Sequence, residues 1–169
     1  MKAIVQDRYG PADVLERQEI DKPEIGDGDV LVRVRAAGVH IGDWHLMTGL
    51  PYLMRIMGFG FRAPKARVRG IDVAGSVEAV GRTVTRFQAG DEVFGTSNGA
   101  FAEYACARAD TLAPKPANLT FEQAAAIPTS ASPGAARRGR DRAGTAGPDR
   151  WCVGRRRDLR GADRQGVRR

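Results

Sequence analysis

Arg69-Gly70-Ile71-Asp72-Val73-Ala74-Gly75-Ser76-Val77-Glu78-Ala79-Val80-Gly81 decides the reading of the fold. Glycines at 70, 75 and 81 bracket a short apolar run with one acid at its start, the pattern of a tight turn, a buried strand and a second turn. Gly90-Asp91-Glu92-Val93-Phe94-Gly95 repeats the arrangement. Two glycine-bounded strands in close succession predict a small, mainly β barrel, not a helical domain.

Outward from that stretch, Val30, Val32 and Val34 alternate with Leu31, Arg33 and Arg35, the period of a half-buried strand, which ends at Ala36-Ala37-Gly38. Residues 1–6 and 14–20 read as strands joined through Tyr9-Gly10-Pro11. Downstream, residues 91–94 and 99–105 read as short strands, and Leu112-Ala113-Pro114 follows. Thr120-Phe121-Glu122-Gln123 is a capping box that starts a helix over residues 124–126, and Pro128 limits it. Residues 46–68 contain Tyr52, Met54, Ile56, Met57, Phe59 and Phe61 without a helical or strand period, and read as an apolar loop over a site.

The net charge of +7 is unevenly placed: residues 132–169 hold 12 arginines and 4 aspartates, which leaves residues 1–131 near neutral. That tail contains no Ile, Phe, Tyr or Met and one leucine, too little apolar surface to offset its ordering entropy, so it is expected to be a disordered basic segment. The expected organisation is one β domain over residues 1–131 followed by the tail. Cys106 and Cys152 offer no metal-ligand spacing and no disulfide framework, which fits a reducing compartment. The N-terminus lacks an apolar core and no run is long enough to span a bilayer, so no membrane partner is expected and the protein reads as cytoplasmic.

Val39-His40-Ile41-Gly42-Asp43-Trp44-His45 places two imidazoles and a carboxylate just past a strand, a position that favours function. As a metal cluster, His40, Asp43 and His45 lack a fourth ligand. The plain reading has Asp43 capping the turn and His45 in solvent.

The order of these pieces resembles the medium-chain dehydrogenase/reductases, in particular their zinc-independent quinone oxidoreductase (zeta-crystallin-like) branch. The matching residues are Met1-Lys2-Ala3-Ile4-Val5 with Tyr9-Gly10-Pro11, the strand from Asp29 to Gly38 with Val39-His40 and Asp43, Gly70 with Asp72 and Gly75, Gly90-Asp91 with Val93, Gly99 with Phe101-Ala102-Glu103-Tyr104, and Ala124-Ala125-Ala126-Ile127-Pro128. The resemblance implies a GroES-like β-barrel of the alcohol dehydrogenase N-terminal type, followed in the family by a Rossmann domain, with NADPH and a small quinone or carbonyl substrate in the cleft between them. It also leaves room for a homodimer of the intact enzyme. Zinc-dependent members carry Cys where His40 stands and His-Glu where Ile71-Asp72 stand; Ile71 has no donor atom, so no zinc is expected.

His40 then falls at the nicotinamide-side polar contact, usually Asn, and is expected both to touch the cofactor and to donate a proton to the acceptor. Tyr52 is a second catalytic group, Met54, Phe59 and Phe61 wall the substrate pocket, and Asp72 accepts backbone amides in a structural role. The substrate stays open between a quinone and an enal or alcohol-derived carbonyl. A different class is also weighed, a non-enzymatic barrel whose tail binds nucleic acid through Arg137-Arg138-Gly139-Arg140 and Arg155-Arg156-Arg157. It is disfavoured because the aromatic stacking surface of single-strand binders is missing.

The family's dinucleotide fingerprint is not found. Gly58-Phe59-Gly60-Phe61-Arg62-Ala63 has the spacing but no strand before it and Pro64 after it. Read one nucleotide later, with permitted codons, residues 143–168 can instead encode a strand, a glycine turn and a helix that resemble that fingerprint. Residues from about 132 onward are therefore expected to be an out-of-frame reading of a Rossmann domain, and this chain by itself to be an inactive fragment.

Overall fold

The computed structural model of the chain describes residues 1–53, 55–56 and 60–131. Its elements are β1 (Lys2–Gln6), β2 (Leu15–Glu19), β3 (Asp29–Ala37), α1 (Ile41–Thr48), β4 (Asp72–Val80), β5 (Glu92–Thr96), β6 (Tyr104–Arg108), β7 (Leu112–Pro114), α2 (Phe121–Ala125) and α3 (Pro128–Ala131). β1 and β2 form an antiparallel pair, and the other strands form an antiparallel sheet in the order β6-β3-β4-β5-β7. The mainly β expectation holds.

β4, the strand of the opening stretch, is the middle strand of the sheet, and both its faces are covered. Val73 and Val77 enter the main core with Val30, Val32, Val93 and Leu112, while Ala74 on the opposite face lies under Ala124 and Ala125 of α2. A strand covered on both sides reads as a continuous apolar run, and after Asp72 this one stays buried and free of polar side chains through Gly75. Val30, Val32, Val73 and Val93 are completely buried, each contributing about 1.5–2 kcal/mol of apolar transfer. Two glycines are needed here for geometry. Gly70 sits at φ +92°, and a Cβ on Gly75 would stand 2.1 Å from the Arg33 carbonyl oxygen of β3.

Several boundaries differ from expectation. Leu31 is buried along with its neighbours, so the alternation of β3 begins only at Arg33. Residues 99–101 turn back on the opening stretch, with the amides of Gly99 and Ala100 donating to the Gly70 carbonyl, and β6 starts only at Tyr104. The largest difference is α1, a helix where a loop was expected. Its N-cap is a histidine and its first turn holds a glycine, neither a usual helix signal, and it ends at Gly49 in the left-handed region, φ +67°.

At the C-terminal side the capping box forms as read: the Thr120 hydroxyl accepts from the Gln123 amide at 3.2 Å and Gln123 Oε1 accepts from the Thr120 amide at 3.0 Å. Pro128 limits α2 and also opens α3, the favoured first helical position for proline. Cys106 is buried in β6, and Cys152 lies outside the described residues. The expected basic tail, residues 132–169, lies outside the described residues. Among those described, no helix is long and apolar enough to cross a membrane.

Candidate functional site

β3 hands the chain to α1 through Gly38, whose amide donates to the Asp72 carbonyl at 3.1 Å and so ties the edge of the site to β4. His40 follows in extended conformation as the N-cap of α1. Its Nδ1 accepts from the Gly42 amide at 2.9 Å, and Asp43 Oδ2 accepts from the His40 amide at 3.1 Å, a reciprocal box closed by a ring in place of a hydroxyl. His40 Nε2 lies 3.6 Å from Asp43 Oδ2. Asp43 thus caps the helix start as expected, and it is buried. Burial pushes its carboxyl above the usual carboxylate range; the bond from the His40 amide and the charges of His40 and Arg69 pull it down, and Asp72 pushes it up.

A buried polar group that the sequence did not announce lies beneath α1. Gln6, at the end of β1, is completely buried. Its Nε2 donates to the carbonyls of Met47 (2.6 Å) and Arg8 (2.8 Å), and its Oε1 accepts from Arg69 Nε at 2.7 Å. Gln6 therefore joins β1, α1 and the opening stretch. Desolvation lowers the affinity of the Arg69 guanidinium for its proton, opposed by Tyr9 and Asp43, and burial pushes the Tyr9 phenol up against the pull of Arg69 and Arg55. The available signal was a glutamine directly following the apolar run of β1 and an arginine directly before Gly70.

Asp72 is buried in β4, where Oδ1 accepts from the Thr129 hydroxyl at 2.6 Å and Oδ2 from the Thr129 amide at 3.3 Å. Its structural role was expected, but its partners were not: it fastens the first turn of α3 to the sheet. His45 is not free in solvent; its Nδ1 donates to the Leu50 carbonyl at 2.8 Å, and its ring meets Trp44 edge-on at 5.0 Å between centroids. Among the described residues no group of three His, Cys, Asp or Glu side chains is placed to hold a metal ion.

Tyr52 is exposed, and so is Phe61; Met54 and Phe59 lie outside the described residues. Arg55 links the Tyr52 segment to α1. Its Nε and Nη2 donate to the Gly49 and Thr48 carbonyls at 2.9 and 3.0 Å, and the guanidinium stands 4.3 Å from the Tyr9 ring centroid and 4.8 Å from that of Tyr52. Val39, Ile41, Trp44, Tyr52, Leu53 and Ile56 are all exposed on these two linked segments, an unusual density of large apolar side chains facing outward. The first two residues of the Gly58–Ala63 spacing lie outside the described residues, and Gly60 to Ala63 belong to no strand or helix. What the described residues offer is a histidine withdrawn into a cap, an exposed phenol and large apolar side chains in solvent on two linked segments.

Residues 26–117 match the family model described as alcohol dehydrogenase GroES-like domain, and the chain belongs to that family. Among curated relatives, pig (Sus scrofa) quinone oxidoreductase is 37% identical over 130 residues, covering 75% of this chain and 37% of that protein. Among solved structures, the quinone oxidoreductase from Coxiella burnetii superposes with a TM-score of 0.68 at 31% identity, covering 76% of this chain and 41% of that one. A mycobacterial structure complexed with NADPH matches with a TM-score of 0.63 at 32% identity, over 75% of this chain and 37% of the other. Within the medium-chain dehydrogenase/reductase superfamily, these similarities put the chain in the quinone oxidoreductase branch. It spans little more than a third of the length of the relatives it matches.

Proposed function

We propose that this chain provides the substrate-side barrel of an NADPH-dependent, metal-free oxidoreductase that reduces a quinone. The observation that carries the reading is the set of exposed large apolar side chains Val39, Ile41, Trp44, Tyr52 and Ile56 on or next to the helix that His40 caps and on the segment Arg55 ties to it, in a chain similar to quinone oxidoreductases. A flat apolar acceptor suits such side chains, and the polar groups on the same segments, His40 and Tyr52, suit a carbonyl oxygen that gains negative charge and then a proton. Ile71, which has no donor atom where zinc-dependent members place a ligand, supports a metal-free site.

NADPH, where it is bound, supplies the hydride. The described residues hold and orient the acceptor, and His40 is their proton donor once its ring leaves the cap. We also propose that the glycine turn for the cofactor lies in the reading frame one nucleotide from that of residues 132–169. A cytoplasmic location belongs to the same reading. Alkylation of both cysteines in unreduced lysate tests that location.

Titration of NADPH fluorescence tests the assignment. The 169-residue chain is expected to show no saturable binding and a frame-restored chain to bind in the micromolar range. Micromolar binding by the 169-residue chain contradicts the placing of the cofactor turn. No binding by the restored chain contradicts the proposed activity.

A further inference from the structure

We infer that Gly42 is a positioning residue for His40: having no side chain, it lets the imidazole fold back over the first turn of α1, and a side chain at 42 turns that ring off the cap. The geometry leaves no room for both. A Cβ on Gly42 would stand 2.5 Å from His40 Cε1 and 2.8 Å from Nδ1, well inside van der Waals contact. The atoms in conflict belong to a side chain with free torsions, so the ring is what moves. Gly42 does not occupy the left-handed region, and alanine is the better helix former, so the backbone itself accepts the substitution.

The folded-back ring withholds its proton. Nδ1 accepts from the Gly42 amide, so the neutral ring carries its hydrogen on Nε2. Nε2 is buried and makes no hydrogen bond, with Asp43 Oδ2 3.6 Å away. One ring nitrogen is occupied and the other is hidden. Serine, threonine, aspartate or asparagine would cap this helix through a short branch, whereas the bulk of an imidazole makes the choice at position 40 depend on the choice at 42. The catalytic meaning rests on the function proposed above: His40 meets a bound acceptor only after the ring has swung out. The positioning itself does not rest on it.

Carbethoxylation of the 169-residue chain with diethyl pyrocarbonate, mapped by peptide mass spectrometry, reads the ring directly. The sequence has two histidines, so His45 serves as the internal reference. Gly42→Ala is expected to raise the rate at His40 relative to His45 by about fivefold or more, the population change expected when one cap hydrogen bond is lost. An unchanged ratio overturns the inference.

A thermal-unfolding cycle provides a second reading. Gly42→Ala is expected to lower Tm in the native background and to raise it in a His40→Asn background, because asparagine caps without overlying residue 42. An equal change in both backgrounds overturns the inference, as does failure of Gly42→Ala to fold in both. Folding only in the His40→Asn background supports it. These outcomes are independent of NADPH or quinone binding, so failure of the proposed function leaves them readable.

Discussion

Replacing Gln6 by leucine removes the group that joins β1, α1 and Arg69 while nearly preserving side-chain volume. Three hydrogen bonds disappear, at 2.6, 2.7 and 2.8 Å, around a side chain with no solvent exposure. The bond from the Arg69 guanidinium is the costliest, because a buried cation loses its acceptor and water cannot replace it. The Met47 carbonyl keeps a 3.3 Å bond from the Gly10 amide, so its loss falls at the low end of the range for a neutral bond. Together these place the destabilisation at about 3–4 kcal/mol, a large part of the ~5–15 kcal/mol that holds a typical domain folded. Urea unfolding of the 169-residue chain, followed by far-UV circular dichroism, measures it. The double variant Gln6→Leu/Arg69→Leu is expected to be less damaging than the two single losses combined, since it leaves no orphaned charge. A loss below about 1 kcal/mol for Gln6→Leu would show that Arg69 finds another acceptor and would refute the reasoning.

Asp43 carries a pH signature. Its carboxyl is raised in the folded state, so as pH climbs above the ordinary carboxylate value the unfolded chain releases this proton before the folded one does. The stabilising contribution of the protonated group is complete below that range and is lost as pH rises through the raised value. Asp43→Asn should flatten this fall in urea-measured stability, and a variant retaining the full slope would exclude Asp43 as its source. Thr120→Ala removes the side-chain acceptor of the α2 cap and is expected to cost about 1 kcal/mol, read from a lower urea midpoint with an unchanged slope. Asp72→Asn leaves an acceptor for the Thr129 hydroxyl but no charge. It should loosen α3 selectively, seen as faster amide exchange at residues 129–131 with β4 unaffected.

The sheet was legible because its signals are local and redundant. Gly70, Gly75 and Gly81 bracket β4, a valine run forms the first half of β3, and Thr120 with Gln123 writes a helix start in two residues. α1 was not legible, because its cap is an imidazole acting at close range on a glycine amide, and because tertiary bonds from Gln6 and Arg55 hold its far end. At the site, His40 was read as a cofactor contact and proton donor. The structure holds His40 in a cap, with Asp43 as its reciprocal partner, an arrangement no local pattern announced. Gln6, Arg69 and Thr129 were missed for one physical reason: each acts on a residue far away in sequence, and no periodicity records a contact between β1 and residue 69. Asp72 was read as a backbone-amide acceptor at the strand entry, and its observed partners, the Thr129 hydroxyl and amide, lie 57 residues away.

The most direct test of the central claim is quinone-driven oxidation of NADPH by the frame-restored chain, followed as loss of absorbance at the nicotinamide band with and without a quinone. The account predicts oxidation that requires the quinone, persists in the presence of a chelator and weakens when His40 is replaced by alanine. A restored chain that binds NADPH but does not oxidise it with any quinone would contradict the account.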